Sequence, residues 1–388
     1  MIEMTQRILL TTPTFPPVNS GLGNAVQQLA KCLTDEGWGV VVATTGSNRG
    51  TSEDIFSGAT IEVFNVSGAD SLAQPIKGDQ QSYIDFLKQS QFDIVLMNAW
   101  QTWSTDLVFA NIKNVSGKKL LYSHCISTNS IVGKLSLRSI LRYFAWRPYW
   151  GSLSKKMQLL DGIIFLASEG CDARFDDVTM AKRLGINQTV IPNGISSAAL
   201  LAIDVPKKSF LEREGIISVG AYDWQKGHDF VLRAYSLSTI KNKVQLHFFG
   251  QQFTPFSEKL KSLASHLELD PLFVHFHEGV NQIDLFEQYL EARLFLYGSH
   301  TECQPLVLLD AMAAGTPFIS RASGSIPSMN GGITVKSEIE AAKAIDELYK
   351  NLEDWNILSE VGHQQVQTFH TPIKVRESLI KALSMSKN

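Results

Sequence analysis

Glu302 and Asp310 stand eight positions apart in the stretch TECQPLVLLDAMAAGTPFIS, which runs from Thr301 to Ser320. Pro305 suits a first helical position, where its missing N–H would find no partner anyway, and Gly315 followed by Pro317 is the matching stop. The stretch therefore predicts a helix from Pro305 to Ala314. Its start leaves the N–H groups of Leu306 and Val307 at the positive end of the helix dipole, immediately beyond Glu302, which makes an anion site. Continued at helical pitch, eight residues turn about 80° around the axis, so both carboxylates can face one cleft. Taken alone, the pair also fits a plainer role, one acid as a dipole partner and the other on a solvated face.

Two further groups sit at the ends of predicted strands. Lys226 closes the run VGAYDWQKG that follows Ile216–Val219, and His124 closes LLYSHC. Taken alone, Lys226 reads as a surface lysine in a loop, and a histidine at a strand end can face a ligand or, more often, serve the core.

The elements that position these groups alternate along the whole chain. Strands are expected at 7–12, 39–45, 61–66, 92–98, 119–123, 162–166 and 189–191. A second series follows at 216–219, 245–249, 274–278, 294–297, 318–320 and 332–335, with helical spacing between most of them. Such alternation builds parallel sheets. The segment Ser196–Gly215 reads as a linker, with Asn193-Gly194 as a turn before it. Residues from Asp354 to Ser386 read as helical. At 388 residues the chain is long enough for two domains, and 44% apolar with 19% charged residues describes a globular protein. A formal net charge of −3 gives no basic field for nucleic acid. No apolar run approaches the ~18 residues of a membrane span. The amino terminus, with Glu3 and a short apolar run, reads as a strand and not a secretion signal. Cys32, Cys125, Cys171 and Cys303 show no C-x-x-C pairing, which fits idle thiols in a reducing cytoplasm.

The loop before the first helix carries Gly21-Leu22-Gly23, the start of a dinucleotide fingerprint. Val26 stands where its third glycine would be, and the next strand ends in Thr44-Thr45 without a ribose-binding acid, so a nicotinamide enzyme is rejected.

Glu302, Asp310, Ala311-Met312-Ala313, Gly315-Thr316-Pro317 and the apolar Phe318-Ile319 together resemble the family-four retaining glycosyltransferases of GT-B fold (glycosyl transferases group 1). The resemblance implies an α/β chain of two doubly wound Rossmann-like domains facing a cleft. They would be an acceptor-binding domain over 1–200, a nucleotide-sugar domain over 201–368, and a helix over 369–388 returning to the first. It implies a hexose moved with retention from a nucleotide-diphosphate sugar to a saccharide or lipid-linked saccharide. In this pattern Glu302 would hold donor-sugar hydroxyls, Asp310 the ribose hydroxyls, and His124 would face the sugar. Gly21 and Gly23 would meet the donor phosphates, and Lys226 would grip them beside the helix start at Pro305, Leu306 and Val307.

Two departures stand out. The family usually has Glu at the place of Asp310, and it has an arginine where this chain has Ala221. Losing one donor to a developing anion typically costs about 3 kcal/mol. Another cation such as Arg321 could reach the phosphate, Lys226 and the helix start could suffice, or the chain could be inactive. No Asp-x-Asp occurs, so a reaction without metal or other cofactor is expected. The rivals are a noncatalytic partner subunit of glycosyltransferase type and a hydrolase or epimerase of nucleotide sugars. Base, sugar and linkage cannot be read from the residues.

Between Leu107 and Leu160 there is no acidic residue in 54 positions, while nine Lys and Arg are present. Within it Leu137, Ile140, Leu141 and Phe144 form one helical stripe, with Arg138, Arg142 and Arg147 elsewhere and Trp146, Tyr149 and Trp150 following. This suits a helix on an anionic membrane, as for a cytoplasmic protein held peripherally on the inner face. An apolar stripe turned to the core is the plainer alternative.

Overall fold

The computed structural model describes residues 6–18, 20–46, 50–54, 57–126 and 137–385, leaving out the side chains of Arg138, Ser139 and Met385. The chain divides into two compact units. One holds residues 1–169, 173–191 and 376–388; the other holds 170–172 and 192–375.

The first unit is built on an eight-stranded sheet. Its strands are β1 (Arg7–Thr11), β2 (Gly39–Thr45), β3 (Gly50–Glu53), β4 (Thr60–Phe64), β7 (Ile94–Asn98), β8 (Lys118–Ser123), β9 (Gly162–Phe165) and β10 (Gln188–Val190). The order is β10-β9-β8-β7-β1-β2-β4-β3, and a small ribbon of β5 (Val66–Ser67) and β6 (Lys77–Gly78) stands apart. Strands pair in parallel except β3, which runs antiparallel to β4. Leu9, Val95, Met97 and Leu121 carry one face of this sheet into a core shared with Tyr83 and Trp103.

The second unit holds six parallel strands: β11 (Ile216–Val219), β12 (Leu246–Gly250), β13 (Val274–Glu278), β14 (Leu294–Tyr297), β15 (Phe318–Arg321) and β16 (Gly332–Val335). Their order is β13-β12-β11-β14-β15-β16, so the winding direction reverses between β11 and β14. Successive side chains of a strand point to opposite faces, and here both faces are covered. Ile216, Phe248 and Leu294 enter one core, while Ile217, Phe249 and Phe295 enter the other. That is why Ile216–Val219 and Leu294–Tyr297, buried at every position, read as apolar runs.

Three expectations need correcting. Gly21 and Gly23 belong to no loop; they lie in the first turn of the helix Gly21–Asp35, which Ser20 caps by accepting from the Gly23 N–H. A Cβ on Gly23 would meet the Thr14 carbonyl oxygen at 3.1 Å and Phe15 Cα at 3.3 Å, so close packing of the preceding chain calls for this glycine. The segment read as a linker is part of the second unit: a short helix, Ser197–Leu201, buries Ala198 and Ala199, and Arg213 is fully buried. The third concerns the aromatic residues of the helix Leu137–Met157. Trp146 and Tyr149 are buried in the core of the first unit, too deep for the headgroup position expected of them.

The tail forms two helices, Leu352–Phe369 and Pro372–Met385. Among the described residues no helix is long and apolar enough to cross a membrane.

Candidate functional site

In an open parallel sheet, ligands bind beyond the carboxyl ends of the strands where the winding reverses. In the second unit that place lies beyond β11 and β14, and the loops leaving those two strands carry Lys226 and Glu302. The β11 loop is shaped by Asp223, whose Oδ1 accepts from the N–H groups of Gln225 (2.8 Å) and Lys226 (3.1 Å) to cap a single 3₁₀ turn. Gly227 then adopts φ +61°. A Cβ there would lie 2.0 Å from the Gly298 carbonyl oxygen, and one on Gly298 would lie 2.1 Å from that of Gly227. The two loops thus touch backbone to backbone, which only a glycine pair permits. Beneath them His228 is fully buried, its ring nitrogens 3.3 Å from Ser218 Oγ and from the Gly220 carbonyl oxygen. Burial pushes His228 down to about 4.

Glu302 is held through one oxygen. Its Oε1 accepts from Tyr297 Oη at 2.6 Å, Lys226 Nζ at 2.7 Å and Ser299 Oγ at 2.8 Å. Oε2 makes no hydrogen bond within the described residues, so its acceptor capacity is available. Burial first, and the Glu302 charge next, hold the Tyr297 hydroxyl well above its ordinary range, so it stays a donor.

The chain after Glu302 is fixed on two sides. Ser325 donates both its N–H (2.9 Å) and its hydroxyl (2.8 Å) to the Cys303 carbonyl, while Gly324, at φ +53°, packs on the Glu302 backbone. From the other side, Gln304 Oε1 accepts from the Asn193 N–H at 2.6 Å, and Asn193 Nδ2 donates to the Gln304 carbonyl at 3.0 Å. The helix beyond is Leu306–Ala313, with Pro305 as an extended cap residue just outside it and no side-chain cap. The first-turn N–H groups of Leu306 and Val307 have no side-chain cap. The helix ends as its Gly315 foretells: φ is +68°, with bonds from Gly315 N to Met312 O (3.0 Å) and Thr316 N to Ala311 O (2.8 Å).

Asp310 does not meet Glu302 through any side chain. Its Oδ1 accepts from the Ser196 N–H at 3.0 Å, and burial pushes its pKa up to about 6 against that bond. Ala221 is exposed, and nothing in its own loop replaces the missing guanidinium. From the end of β15, however, Arg321 stacks on Phe230 with its guanidinium carbon 4.5 Å from the ring centroid, and donates to His300 Nδ1 at 2.8 Å. Tyr297, Ser299 and His228 were not singled out as site residues from sequence, and Arg321 was raised only as a cation that could reach the phosphate. Only their positions at the ends of strands and the start of the next helix could have flagged them.

In the first unit His124 lies just beyond β8, stacked on Tyr122 at 4.7 Å between centroids, and burial pushes it down to about 4. Its neighbour Ser123 donates at 2.5 Å to Asp177 Oδ2, which also accepts from Trp100 Nε1 at 2.9 Å. The ends of β7 and β8 carry Ala99, Gln101 and Cys125 at φ 71°, 59° and 66°. Such backbone strain in non-glycine residues gathers at functional places. On the helix Leu137–Met157, Leu137, Leu141 and Phe144 are 74%, 61% and 63% exposed. Arg142 and Arg147 are exposed as well, whereas the Arg138 side chain lies outside the described residues.

Residues 203–365 match the family described as Glycosyl transferases group 1. An uncharacterized glycosyltransferase of Haemophilus influenzae is 24% identical over 84% of this chain and 85% of its own length. An alpha-monoglucosyldiacylglycerol synthase of Streptococcus pneumoniae is 22% identical over 85% of this chain and 74% of its own. Among solved structures, the sucrose-phosphate synthase of Thermosynechococcus elongatus is similar in fold over 98% of both chains, with a TM-score of 0.73 at 16% identity. The two Rossmann-like units are thus those of the GT-B fold.

Proposed function

Because residues 203–365 match the Glycosyl transferases group 1 family, we propose that the chain is a glycosyltransferase that moves a hexose, with retention, from a nucleotide-diphosphate sugar to a saccharide or lipid-linked saccharide. The observation that carries this reading is Glu302, fixed through Oε1 by Lys226, Tyr297 and Ser299 beside an uncapped helix start. In this reading Oε2 accepts from a donor-sugar hydroxyl. The N–H groups of Leu306 and Val307, with Lys226, take the diphosphate, where preorganised donors stabilise the charge that develops on departure. These cations and dipoles suffice without a metal. Asp310 holds a ribose hydroxyl through Oδ2 while Oδ1 stays on Ser196. His124, kept neutral by burial, faces the sugar, and the start of the helix at Gly21 supplies a further N–H, that of Gly23 being taken by Ser20. The departing phosphate helps deprotonate the acceptor, which attacks from the same face.

A lipid-borne acceptor is supported by the similarity to a synthase named for a glucosylated diacylglycerol. It is also supported by the exposed Leu137, Leu141 and Phe144 beside Arg142 and Arg147, which suit an anionic membrane surface. Trp146, being buried, takes no part in it. Retention on liposomes with anionic lipid at low salt, lost in Leu141→Glu/Phe144→Glu, is the expected result. Equal retention of wild type and variant would remove the membrane from the reading.

Ala221 favours a second reading, a noncatalytic partner subunit. Calorimetry of nucleoside diphosphates and their sugars, without metal and with magnesium, on wild type and Glu302→Ala separates the two. Tight metal-free binding of a diphosphate sugar that weakens in Glu302→Ala supports the enzyme; no binding at millimolar ligand gives the partner subunit first place.

A further inference from the structure

Resting on the donor-site reading above, we propose that Arg321, reaching in from the end of β15, binds the donor diphosphate in place of the arginine that the β11 loop lacks at Ala221.

The two cations at this end of the sheet differ in what neutralises them. Lys226 is paired with Glu302 at 2.7 Å, so much of its charge is already spent within the protein. Arg321 forms no ion pair among the described residues. It is instead held by neutral groups: the face of the buried Phe230, His300 Nδ1 at 2.8 Å, and the Gly298 carbonyl oxygen at 3.5 Å. A guanidinium fixed on an aromatic ring and held by no direct ion pair is prepared for an anion and loses little freedom on binding one.

Its place is the right one. Gly298, which Arg321 approaches, touches Gly227, the residue after Lys226. His300, which accepts from Arg321, donates its own N–H to the Gln225 carbonyl at 2.8 Å, and Ser299 beside it donates to Glu302. Arg321 is thus joined to both loops that carry the expected phosphate and sugar contacts. Burial and the Arg321 charge hold His300 below its ordinary range, so the ring stays neutral and keeps a lone pair for the guanidinium. Only Nη1 appears in these contacts, which leaves Nη2 and Nε to take two phosphate oxygens as a fork.

The test uses the full chain and five probes, inorganic pyrophosphate, UDP, GDP, ADP and dTDP, titrated into wild type, Arg321→Ala, Arg321→Gln and the double variant Ala221→Arg/Arg321→Ala. Removing one forked charge-assisted contact is expected to weaken the best-bound nucleotide and pyrophosphate by roughly 10- to 100-fold in both single variants. Ala221 is exposed, so an arginine there has room to restore most of that loss. Arg321→Gln keeps the test readable should Arg321→Ala fail to fold. Wild-type binding that neither single variant weakens overturns the proposal while leaving the donor site standing. A loss that Ala221→Arg does not restore assigns Arg321 to loop support and also overturns it. Absence of binding by wild type itself sinks the donor-site reading, and this proposal with it.

Discussion

Replacing Arg213 by Met should unfold the second unit well before the first. The side chain is fully buried, and no carboxylate among the described residues pairs with it. Its fork spans three stretches of chain: Nε donates to the Lys208 carbonyl (2.9 Å), Nη1 to those of Tyr289 (3.2 Å) and Ala292 (3.3 Å) and to Thr316 Oγ1 (2.7 Å), and Nη2 to that of Ala314 (2.6 Å). Tyr289 keeps a second donor, Thr316 Oγ1 at 2.5 Å, but the carbonyls of Lys208, Ala292 and Ala314 lose the donor described here. Each buried carbonyl left unsatisfied costs about 1–3 kcal/mol, so roughly 3–9 kcal/mol in all. Relief of the buried guanidinium returns about 2–4 kcal/mol, leaving a net loss of about 1–5 kcal/mol. At roughly 2–4 °C per kcal/mol for a unit of this size, its Tm should fall by on the order of 10 °C. Differential scanning calorimetry reads this directly, with the first unit's transition as an internal standard. Arg213→Lys, a point charge unable to span the three stretches, should recover no more than about half of the loss. A shift below ~2 °C for Met, or wild-type behaviour for Lys, would refute the reasoning.

Tyr297→Phe removes one of three donors to Glu302 Oε1; nucleotide-sugar affinity should drop about tenfold with the fold intact, and unchanged calorimetric affinity would count against Glu302 as a ligand. Gly298→Ala places a methyl 2.1 Å from the Gly227 carbonyl oxygen, so the Lys226 loop must move; binding of pyrophosphate and thermal stability should fall together, and a variant with both intact would contradict the backbone contact. Acid should weaken the second unit through His228: its folded pKa of about 4 lies below the unfolded 6.5, so its contribution is full above 6.5 and lost as pH falls through about 4. That loss is on the order of 3 kcal/mol and should shrink in His228→Asn, measured by denaturation at pH 7 and pH 4; equal losses in both proteins would rule it out. Asp310, raised to about 6, acts oppositely, with stability present below 3.8 and lost as pH rises through about 6, so adding Asp310→Asn to His228→Asn should bring back part of the loss on acidification.

Strands buried on both faces were the most legible part. Ile216–Val219 and Leu294–Tyr297 run as their apolar runs predict, because every position of such a strand is selected for burial. The edge strand Gly50–Glu53 escaped notice since its four residues are exposed and polar, and only pairing with β4 makes it a strand. The glycines at 21 and 23 pointed to a loop because glycine is a poor helix former; packing against Thr14 and Phe15 overrides that preference. In the site, Glu302 and the helix start were visible through spacing, Lys226 through the family resemblance and Arg321 only as a nearby cation, whereas Tyr297 and Ser299 were not visible. Their roles come from loops meeting in space. Arg213 reads as one more charge in KKSFLEREG, and its carbonyl partners come from up to 101 residues away.

The attachment of residues 192–213 decides where this chain can be cut and rejoined with a relative. Asn193 locks onto Gln304, the Ser196 N–H onto Asp310, and Arg213 onto the ends of two helices, so a crossover placed at the start of β11 would exchange half of each pair and leave the other half behind. Hybrids with a relative should therefore be spliced between Ile191 and Pro192, with the return crossing between Val375 and Arg376, two of the places where the units divide.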